Sequence, residues 1–254
     1  MITMISAGIV GACWGSFLNV VAVRTLKSES LWPSSRCPHC GAAIVWYDLV
    51  PVLSWLALKG CCRSCAAPIS PWYPAAELIT ALAAIALVQT YTTLPDAIIR
   101  GFLASCCIVT FRTDGEHQLL VVPVMRAIAL GGLIGGFLDP RGISAGLINR
   151  FIGATIGFGA ISALGYLYTK IRGRIGIGEG DAELLGSLGM AIGPAGIWSV
   201  FLCAPVIGTL HIIYLAITST ISSTTPVPFG AYCALIALIE LVTNGALSTL
   251  LIPL

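Results

Sequence analysis

Residues 2–23 run for about six helical turns without a charged side chain. A helix needs about 20 apolar residues to cross a bilayer. Further apolar segments lie at about 74–92, 97–111, 119–138, 147–169, 182–193, 195–217 and 229–252, making about eight. They are continuous rather than alternating, which favours helical spans over a barrel. Composition agrees: 57% of residues are hydrophobic and 9% charged, against about 25% charged in soluble domains. The expected fold class is therefore an all-α polytopic membrane protein. No basic stretch precedes the first run and no small-residue cleavage site follows it, so it reads as a retained span. The net charge of +2 gives no reason to expect a nucleic-acid partner.

One stretch, residues 24–72, breaks the pattern. It holds five of the thirteen Lys and Arg, five prolines and five cysteines. It is too polar to span and reads as a small extramembrane domain. The expected division is a first transmembrane helix over 1–23, this domain over 24–72, and a membrane helical bundle over 73–254. Basic residues set orientation. The inserted domain and the 170–182 loop, with Lys170, Arg172 and Arg174, carry eight of them. The opposite loops have Arg100, Arg141 and Arg150 in or near them. The richer side is expected to be cytoplasmic.

The inserted domain contains two C-x-x-C pairs, Cys37/Cys40 and Cys62/Cys65. Two thiolates on one tight turn can share a metal, and two such turns close a tetrahedral four-cysteine site. The alternative is a pair of disulfides, which a cytoplasmic side disfavours. Structural zinc held by Cys37, Cys40, Cys62 and Cys65 is the expectation. A domain this small gains folding energy from a bound metal. Cys13, Cys106, Cys107, Cys203 and Cys233 lie in apolar spans and read as small hydrophobes.

Gly178-Glu179-Gly180-Asp181 places an acid at the mouth of an apolar run that continues to Gly193-Pro194. A charge at the centre of a bilayer helix costs about 2.5–3.5 kcal/mol on insertion scales, so the acid suggests chemistry. The topology above puts Asp114 on the same face. Two neighbouring carboxylates share a proton, and one can activate water while the other supports a carbonyl. Spacing alone leaves N-capping open for each acid. Glu116, Glu179 and Glu183 read as solvated interfacial charges. No Gly-Lys-Ser/Thr follows the glycines, which excludes a phosphate loop.

These residues together resemble the bacterial type IV prepilin peptidases, a family of GxGD-type membrane aspartyl proteases. Gly15-Ser16-Phe17-Leu18-Asn19-Val20-Val21 is similar to its first-helix signature. Asp48-Leu49-Val50-Pro51-Val52-Leu53-Ser54-Trp55, enclosed by the cysteine pairs, resembles a second block. Ile69-Ser70 and Tyr73-Pro74 through Glu77-Leu78 continue the pattern. Asp114–Leu120 and Gly178–Gly189 resemble the two active-site motifs. Pro228-Phe229-Gly230 resembles the start of the final helix. The resemblance covers most of the chain and implies a bifunctional enzyme of the bacterial inner membrane. Such an enzyme cuts the basic leader of a prepilin or pseudopilin on the cytoplasmic face. It then methylates the new N-terminus with S-adenosylmethionine. The resemblance makes Asp114 and Asp181 the catalytic pair, the four cysteines zinc ligands, and the Gly60 region part of the methyl-transfer half. Membrane lipid is the expected surrounding, and nothing in the pattern sets an oligomeric state.

The chain departs from the family pattern in places. The family's Leu-Pro-Asp turn after the first aspartate is absent or displaced, with Val121-Val122 and then Pro123 following Leu120. Arg112 stands two residues before Asp114, and Glu183 where Lys is common. Three rival readings remain. One is a peptidase without methyl transfer, and another an ion-coupled transporter using both acids. The third is a non-catalytic zinc-bearing scaffold. No matching pair of halves supports the transporter.

Overall fold

The computed structural model describes residues 2–32, 34–91, 93–173, 178–218 and 227–251. Arg174, used above for orientation, lies outside them. The described residues form helices α1 (Ile2–Lys27), α2 (Leu53–Ala57), α3 (Trp72–Thr90), α4 (Leu94–His117), α5 (Val122–Phe137), α6 (Ile143–Arg172), α7 (Glu179–Ile217), α8 (Phe229–Val242) and α9 (Ala246–Leu251). A 3-10 turn covers Trp46–Leu49. Two isolated bridges are the only extended pairings among these residues. Five helices are long and apolar enough to cross a membrane, and α5 and α8 are shorter apolar helices. Many large apolar side chains on them face outward, Phe151, Leu164, Leu202 and Leu210 among them. Helices apolar on their outer as well as their inner faces need lipid around them. The protein is a multi-pass membrane protein.

At 39 residues, α7 would be about 58 Å long if straight, nearly twice the bilayer core. It is not straight. Gly193 has φ 72° and ψ −176°, outside the helical region, and Pro194 follows. Proline cannot donate a helical hydrogen bond, so the ladder breaks here. Counted as two, the halves of α7 bring the apolar helical segments to the eight expected. The last apolar segment turns at Thr243–Gly245 before α9.

The chain divides into two compact units, Met1–Gln89 and Thr90–Leu254. In the first, α1 packs on α3 through small residues. A Cβ on Gly11 would lie 2.7 Å from Ala84 Cβ, and one on Gly15 would lie 2.8 Å from Glu77 Cα. Small residues at this spacing let membrane helices approach closely. Buried Asn19 on α1 donates from Nδ2 to the Tyr73 carbonyl at 3.1 Å. Buried Glu77 on α3 accepts the Val52 N–H at 2.7 Å. Val52 has φ 61°, a conformation β-branched residues rarely adopt, and Glu77 holds its amide there.

In the second unit α7 is central, packing on α5, α6, α8 and α9, while α4 packs on α8 and α5. Leu184, Leu185 and Leu188 on α7 are fully buried. α6 meets α7 through glycine: added Cβ atoms at Gly153 and Gly157 would collide with the carbonyl oxygens of Gly189 and Leu185. Chain order puts the end of α4 and the starts of α5, α7 and α8 at one end of this unit.

Candidate active site and cysteine cluster

Asp114 lies in the last turn of α4. Gln118 caps that helix with φ 55° and donates its N–H to the Asp114 carbonyl at 2.8 Å. The last turn of a helix is its negative end, a poor place for an acid, and an acid there cannot be an N-cap. The Asp114 side chain instead reaches the start of α8, where the Ala231 N–H donates to Oδ2 at 2.7 Å. A helix start presents unpaired N–H groups and positive potential. Asp114 is buried, with 6% of its surface exposed.

Asp181 lies in the first turn of α7, whose N-cap is Gly178. It is not itself the cap. Three residues in, its carboxyl turns back toward Gly178, where an added Cβ would lie 3.5 Å from Asp181 Oδ2. Asp181 is close enough for its charge to act on Asp114. Buried Cys233, on α8, lies within reach of both carboxyls. The fold thus brings together two acids far apart in sequence, in one half-closed setting at one end of the unit.

Gly230 and Leu120 complete the surroundings. A Cβ on Gly230 would lie 2.8 Å from Leu120 Cδ2, 3.1 Å from Asp114 Oδ2 and 3.1 Å from Leu184 Cδ2; one on Gly180 would meet Leu120 Cδ1 at 3.3 Å. Next to Ala231, the Tyr232 hydroxyl bonds His211 Nδ1 of α7, so His211 is a packed polar contact. Arg112 is buried and pairs with Glu116, one turn along α4. Glu116 is thus an ion-pair partner rather than only a solvated charge. After Leu120 the displaced proline starts a helix: Pro123 sits in the first turn of α5, where its missing N–H costs nothing.

The two C-x-x-C pairs form matching turns. The Cys37 N–H donates to the Ala42 carbonyl at 2.9 Å, and the Gly41 N–H returns to the Cys37 carbonyl at 2.9 Å; the second pair repeats this with Cys62, Ala67 and Ala66 at 2.8 and 2.9 Å. Residues Gly41 and Ala66 both have positive φ, 71° and 56°. All four sulfurs lie within 4.8 Å of one another, and Cys37 Sγ and Cys65 Sγ are 3.8 Å apart. A tetrahedron with Zn–S bonds of about 2.3 Å has edges of about 3.8 Å, so the sulfurs fit a four-thiolate metal. The N–H groups of Cys40 and then His39 draw the Cys37 thiol down to about 6. The Ala67 N–H pulls the Cys65 thiol down, but desolvation and the sulfurs of Cys40, Cys62 and Cys37 outweigh it and push it up to about 12. The sulfurs compete for protons, a conflict that a bound divalent cation removes.

Gly60 follows at φ 69°, buried under Trp55, whose Cζ2 would lie 2.9 Å from an added Cβ. Trp55 Nε1 donates to the Ile69 carbonyl at 3.1 Å, and Asp48 takes a bidentate pair from Arg63 at 2.8 and 2.6 Å. These contacts tie the segment between the cysteine pairs to the second turn. Legible signals missed the Ala231 amide, because a backbone donor leaves no side-chain signature.

Two family models match the chain: "Bacterial Peptidase A24 N-terminal domain" over residues 9–91 and "Type IV leader peptidase family" over residues 101–213. A protein of Myxococcus xanthus named prepilin leader peptidase/N-methyltransferase is 36% identical over 71% of this chain and 53% of its own length. One of the same name from Aeromonas hydrophila is 32% identical over 92% of this chain and 88% of its own. An Escherichia coli protein named type 4 prepilin-like proteins leader peptide-processing enzyme is 32% identical over 87% and 86%. No solved structure matches the chain. With helices apolar enough for a membrane, clustered cysteines and relatives aligned along most of its length, the chain belongs to the type IV leader peptidase family.

Proposed function

We propose that this chain is a prepilin leader peptidase and N-methyltransferase whose catalytic pair is Asp114 and Asp181. The observation that carries the reading is the placement of Asp114. It is an acid at the unfavourable end of its own helix, buried, held by the Ala231 amide and within electrostatic reach of Asp181. A packing role would not need two acids within electrostatic reach of each other in an apolar bundle. Coupled carboxyls titrate as a pair and share a proton. The ionised member takes a proton from water, which attacks the scissile carbonyl carbon. The protonated member donates a hydrogen bond to the carbonyl oxygen, and the C–N bond then breaks as the amine takes up a proton. Ala231 fixes one oxygen of Asp114, so the pair is ready before substrate arrives.

The substrate is a prepilin or pseudopilin with a basic leader. The active-site end of the second unit carries Lys170 and Arg172 in the last turn of α6, and the positive-inside rule makes that end cytoplasmic. This gives a bacterial inner-membrane enzyme with its cysteine turns and active site on the cytoplasmic side. Cys37, Cys40, Cys62 and Cys65 would hold zinc, stapling a segment with little core of its own. S-adenosylmethionine supplies an electrophilic methyl group for the new N-terminal amine. Gly60 belongs to this half as the turn that seats Trp55, and being buried it does not itself offer a surface to that group.

The test is cleavage of a purified prepilin by the full chain in detergent. Asp114→Asn and Asp181→Asn should each abolish leader removal while the protein still inserts. Retained cleavage in either variant sinks the pair and leaves the scaffold reading standing. Transfer of label from S-adenosylmethionine to the cut product separates the bifunctional enzyme from a peptidase alone.

A further inference from the structure

At the end of the second unit away from Asp114, two arginines share one cleft. It is lined by Asp96, Arg100 and Leu103 of α4, Gly135 of α5, Arg150 of α6 and Ala191 of α7, with Ile99 and Leu241 beside them. Its enclosed volume is only about 10 Å³. The closed part has room for about one water, so a larger group would sit at the mouth.

The two guanidiniums are held but not neutralised. Arg100 lies over the Tyr91 ring, 4.5 Å from its centroid, and the Tyr91 hydroxyl is fixed by the Leu241 carbonyl at 2.7 Å. Arg150 donates from Nη1 to the Ala191 carbonyl. That carbonyl lies two residues before the break in α7 at Gly193, so part of Arg150 serves the kink. Its Nε is buried and has no hydrogen-bond partner. Arg150 and Arg100 are within electrostatic reach of each other. The nearby carboxylates are committed or too few. Asp139 is within electrostatic reach of Arg150, but its carboxylate is taken by a bidentate pair from Arg141 at 2.9 and 2.8 Å. Asp96 accepts the Thr93 hydroxyl at 2.5 Å. Two guanidiniums and one carboxylate at the cleft leave one positive charge uncompensated.

Depth selects the chemistry of the missing anion. Arg100 and Arg150 sit about 9 and 10 Å along α4 and α6 from their starts. That is where an arginine reaches back to the headgroup layer. Planar guanidinium forks match phosphate oxygens in pairs. We propose that the Arg100–Arg150 cleft binds one phosphate monoanion, the phosphodiester of an anionic membrane lipid.

The test uses the full chain in neutral detergent, with phosphatidylglycerol, phosphatidylcholine or inorganic phosphate added. Melting temperature and lipid retained in native mass spectrometry are read together. Phosphatidylglycerol should raise the melting temperature and stay bound, and phosphatidylcholine should do neither. Arg100→Gln and Arg150→Gln should each weaken phosphatidylglycerol binding roughly tenfold, the scale of one charge-assisted hydrogen bond. Arg126→Gln, an exposed arginine on α5, should leave it unchanged. Should Arg150→Gln not fold, Arg150→Lys keeps the charge, loses the fork and should still weaken binding. Stabilisation by inorganic phosphate that the same variants remove would assign the site to a free phosphate instead of a headgroup. Equal binding of both lipids, or undiminished binding in Arg100→Gln, overturns the proposal.

Discussion

The Ala231 N–H meets Asp114 Oδ2 at 2.7 Å, joining the last turn of α4 to the first turn of α8. The bond needs Gly230 beside it to stay small. Replacing glycine by alanine within a helix ordinarily gains about 0.5–1 kcal/mol. Here the new methyl would stand 2.8 Å from Leu120 Cδ2 and 3.1 Å from Asp114 Oδ2. The leucine tip can move, but the carboxylate cannot without leaving its donor. Gly230→Ala should therefore lower kcat for leader cleavage by about 10- to 100-fold, since misplacement by about 1 Å costs on that order. The melting temperature should change little. A steady-state assay on a prepilin with a thermal melt checks both, and an unchanged kcat would show that the placement of Asp114 does not matter.

The sulfur geometry makes a separate prediction. If the four cysteines hold one metal, the purified chain carries one zinc ion, and a strong chelator should remove it and loosen residues 36–69. Cys62→Ser should lose the metal as fully as Cys37→Ser, because each supplies one corner of the same tetrahedron. Metal analysis and limited proteolysis between the pairs read this directly. Disulfides would instead give a chain without metal whose thiols appear only on reduction.

The break in α7 was legible because Gly193-Pro194 interrupts an apolar run, and the cysteine turns because their spacing repeats. Both are local features with a strong backbone or ligand requirement. Asp114 and Asp181 could be paired across 66 intervening residues only through topology and resemblance. What stayed hidden depends on packing. The Ala231 amide is a property of where a helix starts. The Glu77–Val52 bond spans residues whose types give no hint of it. The Arg112–Glu116 pair was within reach, because four-residue spacing on a helix brings opposite charges together.

The Glu77–Val52 bond can be tested by two substitutions that differ in one respect. Glu77→Ala leaves the half-buried Val52 N–H without its acceptor, a loss of about 0.5–1.5 kcal/mol. It also releases the positive φ at Val52. Glu77→Gln keeps a carbonyl oxygen in the same place and should retain most of that stability. Thermal melts of the two variants, with hydrogen exchange at Val52, would show the difference. Equal loss in both would mean that the charge of Glu77, not its acceptor, is what the site uses.

Asp139, in the turn between α5 and α6, gives a prediction in pH. The Arg141 guanidinium holds its carboxyl well below the usual range, at about 2. A group with a lowered folded value stabilises the protein above its unfolded value, near 4. That contribution disappears as pH falls through about 2. Wild type should therefore melt above Asp139→Asn by a constant margin from pH 8 to 5. The margin should shrink between pH 4 and 2 and vanish below. Exposed pairs are worth about 0–1 kcal/mol, but this aspartate also accepts the Arg141 N–H at 2.9 Å, so the margin should be measurable. Arg141→Gln should shift the loss upward towards pH 4, since the cation that lowers the Asp139 carboxyl is gone. A margin that stays constant down to pH 2 in wild type would mean that Asp139 stabilises the turn through its backbone bonds rather than through its charge.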